Sequence, residues 1–61
     1  MKPKVENMMK QWEAGRNLWY LYTQINGYAL NPTDKGLRKL AKLLDLKKSY
    51  IAKRINLFLE N

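Results

Sequence analysis

The side chains best able to do chemistry in this 61-residue chain are its lysines and arginines. Twelve of them stand against five aspartates and glutamates, for a formal net charge of +7. Residues 32–61 hold eight of the basic and three of the acidic groups, a net charge of +5, and residues 1–31 hold the remaining +2. A field of this size on so small a body predicts a polyanionic partner, with nucleic acid first and an anionic membrane second.

The residue types that most often carry catalysis are missing. The sequence contains no histidine and no cysteine, so a zinc site would need carboxylates alone and no disulfide can form. The five carboxylates show no paired arrangement, and no glycine-rich phosphate loop is present. We therefore expect no enzymatic activity, no cofactor, no metal and no small-molecule substrate.

Hydropathy argues against a membrane location. No apolar run approaches the roughly 20 residues that span a bilayer. The N-terminal segment is basic but has no apolar core of the signal-peptide type. We expect a cytoplasmic protein.

Apolar residues recur at helical spacing in three segments, and no segment alternates as a strand would. The sequence therefore predicts one all-α domain over residues 1–61, a small three-helix domain. The first helix is expected over residues 4–26, because Pro3 suits its N-terminal flank and Gly27 suits a left-handed residue after its end.

The apolar stripe of the first helix changes face near Gly15, which itself weakens a helix by about 1 kcal/mol relative to alanine. One face of the early half carries four apolar residues: Val5, Met8, Met9 and Trp12. The later half carries its apolar residues on roughly the opposite side: Leu18, Leu21, Tyr22 and Ile25. We expect the later half to pack inside the domain and the early half to form a homodimer seam; the alternative is a long helix folded back over the core.

The second helix is expected over residues 32–44. Asn31 can serve as its N-cap, Pro32 fits the first helical position, and Asp34 lies three residues after the cap. The third helix is expected over residues 47–60. Its inner stripe is apolar and consists of Ile51, Ile55, Phe58 and Leu59, whereas Ser49, Lys53 and Asn56 point the other way.

The spacing between these two helices is typical of a helix-turn-helix unit. Ala41 is the small residue where the helices cross, and Asp45 falls at the turn, where a left-handed backbone is tolerated. Leu46 would then plug the core, and Ile51 would anchor the middle of the recognition helix. The second and third helices are therefore predicted to form a helix-turn-helix.

Residues 40–60 also resemble the central DNA-binding motif of the ParB/KorB plasmid-partition family. The matching positions are Leu40, Ala41 and Leu44, then Ser49, Tyr50 and Ile51, then residues 54–58. The chain departs from that pattern at Asp45, where glycine is usual, and at Lys47, where Ser or Thr is usual. It also lacks the other ParB elements, so it is more similar to the broader group of Cro- and repressor-like phage or plasmid regulators. The resemblance implies a transcription regulator that binds DNA.

Roles at a DNA site follow from position in such a unit. Residues 47–56 would enter the major groove, where Lys48 or Lys53 could donate to guanine and Asn56 could reach an adenine or a phosphate. The predicted DNA-binding residues are Lys35, Arg38, Lys47, Lys48, Ser49, Tyr50, Lys53 and Asn56. Lys35 and Arg38 would hold backbone phosphates. A homodimer would read two half-sites about 34 Å apart.

Other functions are compatible with the same residues. The trihelical scaffold could grip another protein as an inhibitor or adaptor. Two tryptophans and many lysines also suit a cationic membrane-active peptide, and RNA binding stays open although the aromatic residues form no stacking platform. Any single lysine could simply be part of a solvated face.

Overall fold

Three helices form the part of the chain that the computed structural model describes, which is residues 3–60, with side chains from Asn7 onward. They are α1 (Pro3–Asn26), α2 (Asp34–Leu44) and α3 (Lys48–Glu60), and no strand occurs within that range. The predicted all-α, three-helix domain is confirmed. Gly27 has a φ of 84° and its N–H donates to the Thr23 carbonyl at 2.9 Å, which ends α1 where the sequence predicts.

The core lies where the three helices meet. Its buried side chains come from every helix: Tyr22, Leu37, Leu40, Ala41, Ile51 and Ile55. Leu18 and Ile25 pack against it, so the later half of α1 lies inside the domain as predicted. Leu21 does not, because it is about 100° around the helix from Tyr22 and is exposed. Each fully buried leucine or isoleucine contributes roughly 1.5–3 kcal/mol.

Gly15 lets α1 and α3 approach closely. A Cβ at this position would lie 2.8 Å from the carbonyl carbon of Arg54, so only glycine fits the crossing. One turn earlier on α1, the Trp12 ring lies 5.2 Å from the Phe58 ring, measured between centroids. The two helices are therefore antiparallel. Trp12 therefore packs within its own chain, as the alternative of a long helix folded back over the core predicts.

The Tyr22 hydroxyl determines where α2 begins. It accepts a hydrogen bond from the Thr33 N–H at 2.9 Å and lies 3.2 Å from Thr33 Oγ1. Thr33 is extended, and its Oγ1 accepts from the Gly36 N–H at 3.0 Å. The N-cap is thus Thr33, and the predicted Asn31 cap with a helix start at residue 32 is wrong. The reason is that a hydroxyl from α1 holds the Thr33 backbone in an extended conformation.

Gly36 allows the same tyrosine to lie against α2. A Cβ on Gly36 would lie 2.7 Å from ring carbons of Tyr22, which is buried and hydrogen-bonded and so has little room to move. Asn26 adds a bond from its Nδ2 to the Gly36 carbonyl at 3.4 Å. The first turn of α2 is therefore held against α1 by side chains at the end of α1.

A left-handed residue joins α2 to α3. Asp45 has φ 55° and ψ 43°, as its place in the predicted turn requires, and the Leu46 N–H donates to the Ala41 carbonyl at 3.0 Å. Ala41 and Ile51 are buried on either side, as predicted. Leu46 is 43% exposed, so its predicted role as a core plug is wrong. The turn bond keeps Leu46 at the surface, and Leu44 packs against the core.

Candidate nucleic-acid interface

The outer face of α2 is a continuous basic surface. Four cationic side chains at positions i, i+3, i+4 and i+7 form it and are all exposed: Lys35, Arg38, Lys39 and Lys42. At about 100° per residue, this set lies opposite Leu37, Leu40, Ala41 and Leu44, which face the core. The burial of the apolar stripe therefore directs four positive charges to solvent on one side of the molecule.

The exposed face of α3 carries polar side chains of mixed type. Ser49, Lys53, Asn56 and Glu60 form this face, opposite the buried Ile51 and Ile55. Three of the predicted DNA-binding residues thus share a helix face, with spacing that fits one side of a helix in a groove. Glu60 adds a negative charge at the C-terminal end of that face.

Two lysines lie at the start of α3. The Lys47 carbonyl accepts from the Ile51 N–H at 3.2 Å, so α3 begins at Lys48 and Lys47 occupies the cap position. The Lys47 side chain is exposed. Lys48 is half-buried, and its ammonium group donates to Asp34 Oδ1. The N-terminus of the predicted recognition helix is therefore tied to the first residue of α2.

Asp34 is a shared counter-ion for two of the predicted DNA-binding residues. Its Oδ2 lies 2.9 Å from Arg38 Nε, and its Oδ1 accepts from Lys48. The hydrogen bond from Lys48 is the main cause that lowers the pKa of Asp34 below 3.8. Desolvation opposes it, and the charges of Arg38 and Lys48 lower the pKa further. The ion pairs therefore stabilise the fold fully above that ordinary value and are lost as the pH falls through the lowered pKa.

An aromatic ring and a guanidinium group of α3 stack on each other. The Arg54 Cζ atom lies 3.7 Å from the centre of the Tyr50 ring. This contact is a cation–π interaction at i, i+4 spacing. The Arg54 guanidinium group is thus engaged by the Tyr50 ring. Tyr50, a predicted DNA-binding residue, holds an arginine beside the exposed face of α3.

An open groove of about 320 Å³ lies between α1 and α3 and is lined by Gln11, Lys53, Arg54, Leu57 and Glu60. Its lining includes the cations Lys53 and Arg54 and the anion Glu60. In the described part of the chain, no three His, Cys, Asp or Glu side chains lie close enough to hold a metal ion. Among residues 3–60, no helix has the length and apolarity needed to cross a bilayer.

The predicted dimer residues lie near the N-terminal end of α1. Met8 and Met9 are 56% and 50% exposed, whereas Trp12 is half-buried against Phe58. The Val5 side chain lies outside the described residues. Because α3 ends beside this part of α1, the two methionines have no helix packed over them within the described chain, and the dimer seam stays a prediction.

Sequence reasoning missed two features of this surface. Asp34 was assigned to a helix cap, and its pairing with Lys48 joins residues 14 apart, for which the sequence carries no local signal. The Tyr50–Arg54 stack could have been found from its i, i+4 spacing. Comparison of the chain with protein-family models, with curated proteins and with solved structures finds no significant match.

Proposed function

We propose that the chain is a small cytoplasmic protein that binds double-stranded DNA sequence-specifically and regulates transcription or replication. The observation that carries the proposal is the distribution of charge over α2 and α3. The outer face of α2 presents four cations, the adjoining end of α3 presents Lys47 and Lys48, and the apolar residues of both helices face α1. Most contacts between proteins and DNA go to phosphate, which such a surface suits.

The short connection supports a helix-turn-helix reading of α2 and α3. Asp45 turns the chain within three residues, and Ala41 and Ile51 are buried on either side of it. In this proposal residues 47–56 of α3 enter the major groove, where Ser49, Lys53 and Asn56 meet base edges. Lys35 and Arg38 of α2 bind phosphates, and a homodimer doubles the number of bases read.

The test is selection of bound sequences from a random duplex pool, followed by footprinting and a salt titration on the selected site. We expect an enriched palindromic sequence whose half-sites are about 34 Å apart. If six phosphates are neutralised, log K should fall with log salt concentration at a slope of about −5. A slope near zero together with no enrichment would contradict DNA binding.

A protein partner is the second candidate function. The connection between α1 and α2 exposes Tyr28 and Leu30 to 81% and 78%, which is unusual for large apolar side chains placed so close together in a sequence. Aromatic residues are enriched at protein interfaces. Absence of any enriched DNA sequence would favour this function, and Tyr28→Ser with Leu30→Ser would then reduce partner binding without loss of helix content.

A further inference from the structure

The carboxylate of Asp34 lies between two cations that the proposed function assigns to DNA. One cation, Arg38, belongs to the outer face of α2, and the other, Lys48, opens α3. All three side chains are at least partly exposed, so a phosphate group could reach the same positions from solvent. The carboxylate and a phosphate diester are both anionic oxygen acceptors, and both form charge-assisted bonds with guanidinium and ammonium groups.

We infer that Asp34 acts as an internal substitute for a DNA phosphate, and that it withholds Arg38 and Lys48 from sequence-independent binding. This inference rests on the proposed function and adds a regulatory element to that site. Exposed ion pairs are weak and are screened by salt, so the carboxylate competes with DNA without blocking it. Binding to an arbitrary duplex relies on phosphate contacts and must displace the carboxylate from both cations. A well-fitting site is also held by the base contacts of α3, so the Asp34–Lys48 pair can stay in place.

The consequence concerns specificity more than strength. Non-specific affinity comes almost entirely from cations that neutralise phosphates. A protein that carries its own competing anion gives up part of this affinity. The ratio of specific to non-specific binding rises because the specific complex keeps the Asp34–Lys48 pair and so avoids part of that loss. Asp34 is well placed for this role because it engages both helices of the site through one side chain.

The test compares Asp34→Asn with Asp45→Asn in salt titrations on a random-sequence duplex and on the selected site. Both changes remove one negative charge from the same half of the chain, but Asp45 has no ion pair with a described residue, and asparagine tolerates its left-handed backbone. We expect Asp34→Asn to steepen the log–log slope by about 1–2 and to tighten random-duplex binding about three- to tenfold. The selected site should gain less, and Asp45→Asn should leave the slope unchanged.

Equal changes in the two variants would show that only net charge matters and would overturn the inference, as would weaker binding by folded Asp34→Asn.

A second pair of variants applies if Asp34→Asn fails to fold. Lys48→Gln should weaken random-duplex binding less than Lys47→Gln, because Lys48 is already paired. If Lys48→Gln weakens random-duplex binding more than Lys47→Gln, the inference is overturned. The proposed function still stands in that case, provided that the wild-type protein binds DNA. Failure of the wild-type protein to bind either duplex overturns both.

Discussion

At the scale of single residues, two glycines determine how closely α1 packs against the rest of the molecule. Gly15 meets the backbone of α3 at Arg54, and Gly36 meets the ring of Tyr22. Both lie within helices, where glycine costs about 1 kcal/mol relative to alanine. That cost is offset by contacts that a Cβ would prevent, and the sequence pattern alone gave no reason for either glycine.

We expect Gly15→Ala to destabilise the fold by about 1–3 kcal/mol, despite its better helix propensity. The atoms that the new methyl group meets belong to the α3 backbone, which cannot move aside as a flexible side chain can. Thermal and urea unfolding measure the change. Asn17→Ala, at an exposed position of the same helix, is the control and should be neutral or slightly stabilising. A higher melting temperature for Gly15→Ala would mean that the helices are further apart in solution.

At the scale of elements, the junction of α2 and α3 is held by a turn at one end and an ion pair at the other. Asp45 ends α2 in a left-handed conformation, and Asp34 at the start of α2 binds Lys48 at the start of α3. The relative orientation of the two helices therefore depends on two aspartates that lie 11 residues apart. Of the two, only Asp45 has a backbone conformation that the sequence pattern predicts.

Substitution of Asp45 tests the left-handed turn directly. Asp45→Gly should be at least as stable as the wild-type protein, and Asp45→Ala should be about 1 kcal/mol less stable than Asp45→Gly, since a Cβ without a polar partner disfavours this conformation. Urea unfolding of the two variants gives the difference. Because both lack the carboxylate, charge cancels in the comparison. Equal stabilities would indicate that α2 continues through Asp45 in solution.

The features that could be predicted from the sequence were local. The three helices, the end of α1 at Gly27 and the turn at Asp45 follow from residue type and spacing, and so do the buried Ala41 and Ile51. The errors arose where a distant side chain decides the outcome. Tyr22 moves the cap of α2 to Thr33, and no nearby residue signals that.

In the candidate site, too, some features could be predicted from local sequence and others depend on distant residues. That Ser49, Lys53 and Asn56 share the exposed face of α3 follows from helical periodicity. The Lys48–Asp34 pair does not, because it depends on how α2 and α3 are placed relative to each other. The Arg38–Asp34 pair lies within α2 at i, i+4 spacing and could have been found from the sequence. Leu46 shows the limit most clearly, since it satisfies the spacing of a core plug and yet lies at the surface.

At the scale of the whole molecule, α1 is longer than the partner it packs against. It has 24 residues, whereas α3 has 13, so about one half of α1 is matched by α3 and the N-terminal turns extend past Glu60. Trp12 is used within the chain, which leaves Met8 and Met9 as the described residues of the predicted seam. A homodimer through these residues would place the two proposed DNA-binding surfaces far apart along the long axis, which measures 37 Å.

We expect the double variant Met8→Glu, Met9→Glu to be monomeric in sedimentation velocity and to bind its selected site more weakly. Its melting temperature should lose any dependence on protein concentration, because dissociation no longer contributes to unfolding. The double variant Asn17→Glu, Tyr20→Glu changes two other exposed positions on α1, matches the added charge and should stay dimeric. Trp12→Glu is a poorer test, since it would also remove the contact with Phe58. Persistence of the dimer in the methionine variant would place the seam elsewhere.

The antiparallel packing of α1 on α3 also has a practical consequence for spectroscopy. The chain has no cysteine, so one introduced at the exposed Asn7 would be the sole site for a thiol-reactive fluorophore. Because Trp12 lies beside Phe58 and α1 continues away from the start of α3, such a dye would be roughly 20 Å from Lys48. A fluorophore at that end lies beside Met8 and Met9, so it would report formation of the predicted dimer without touching a duplex bound as proposed.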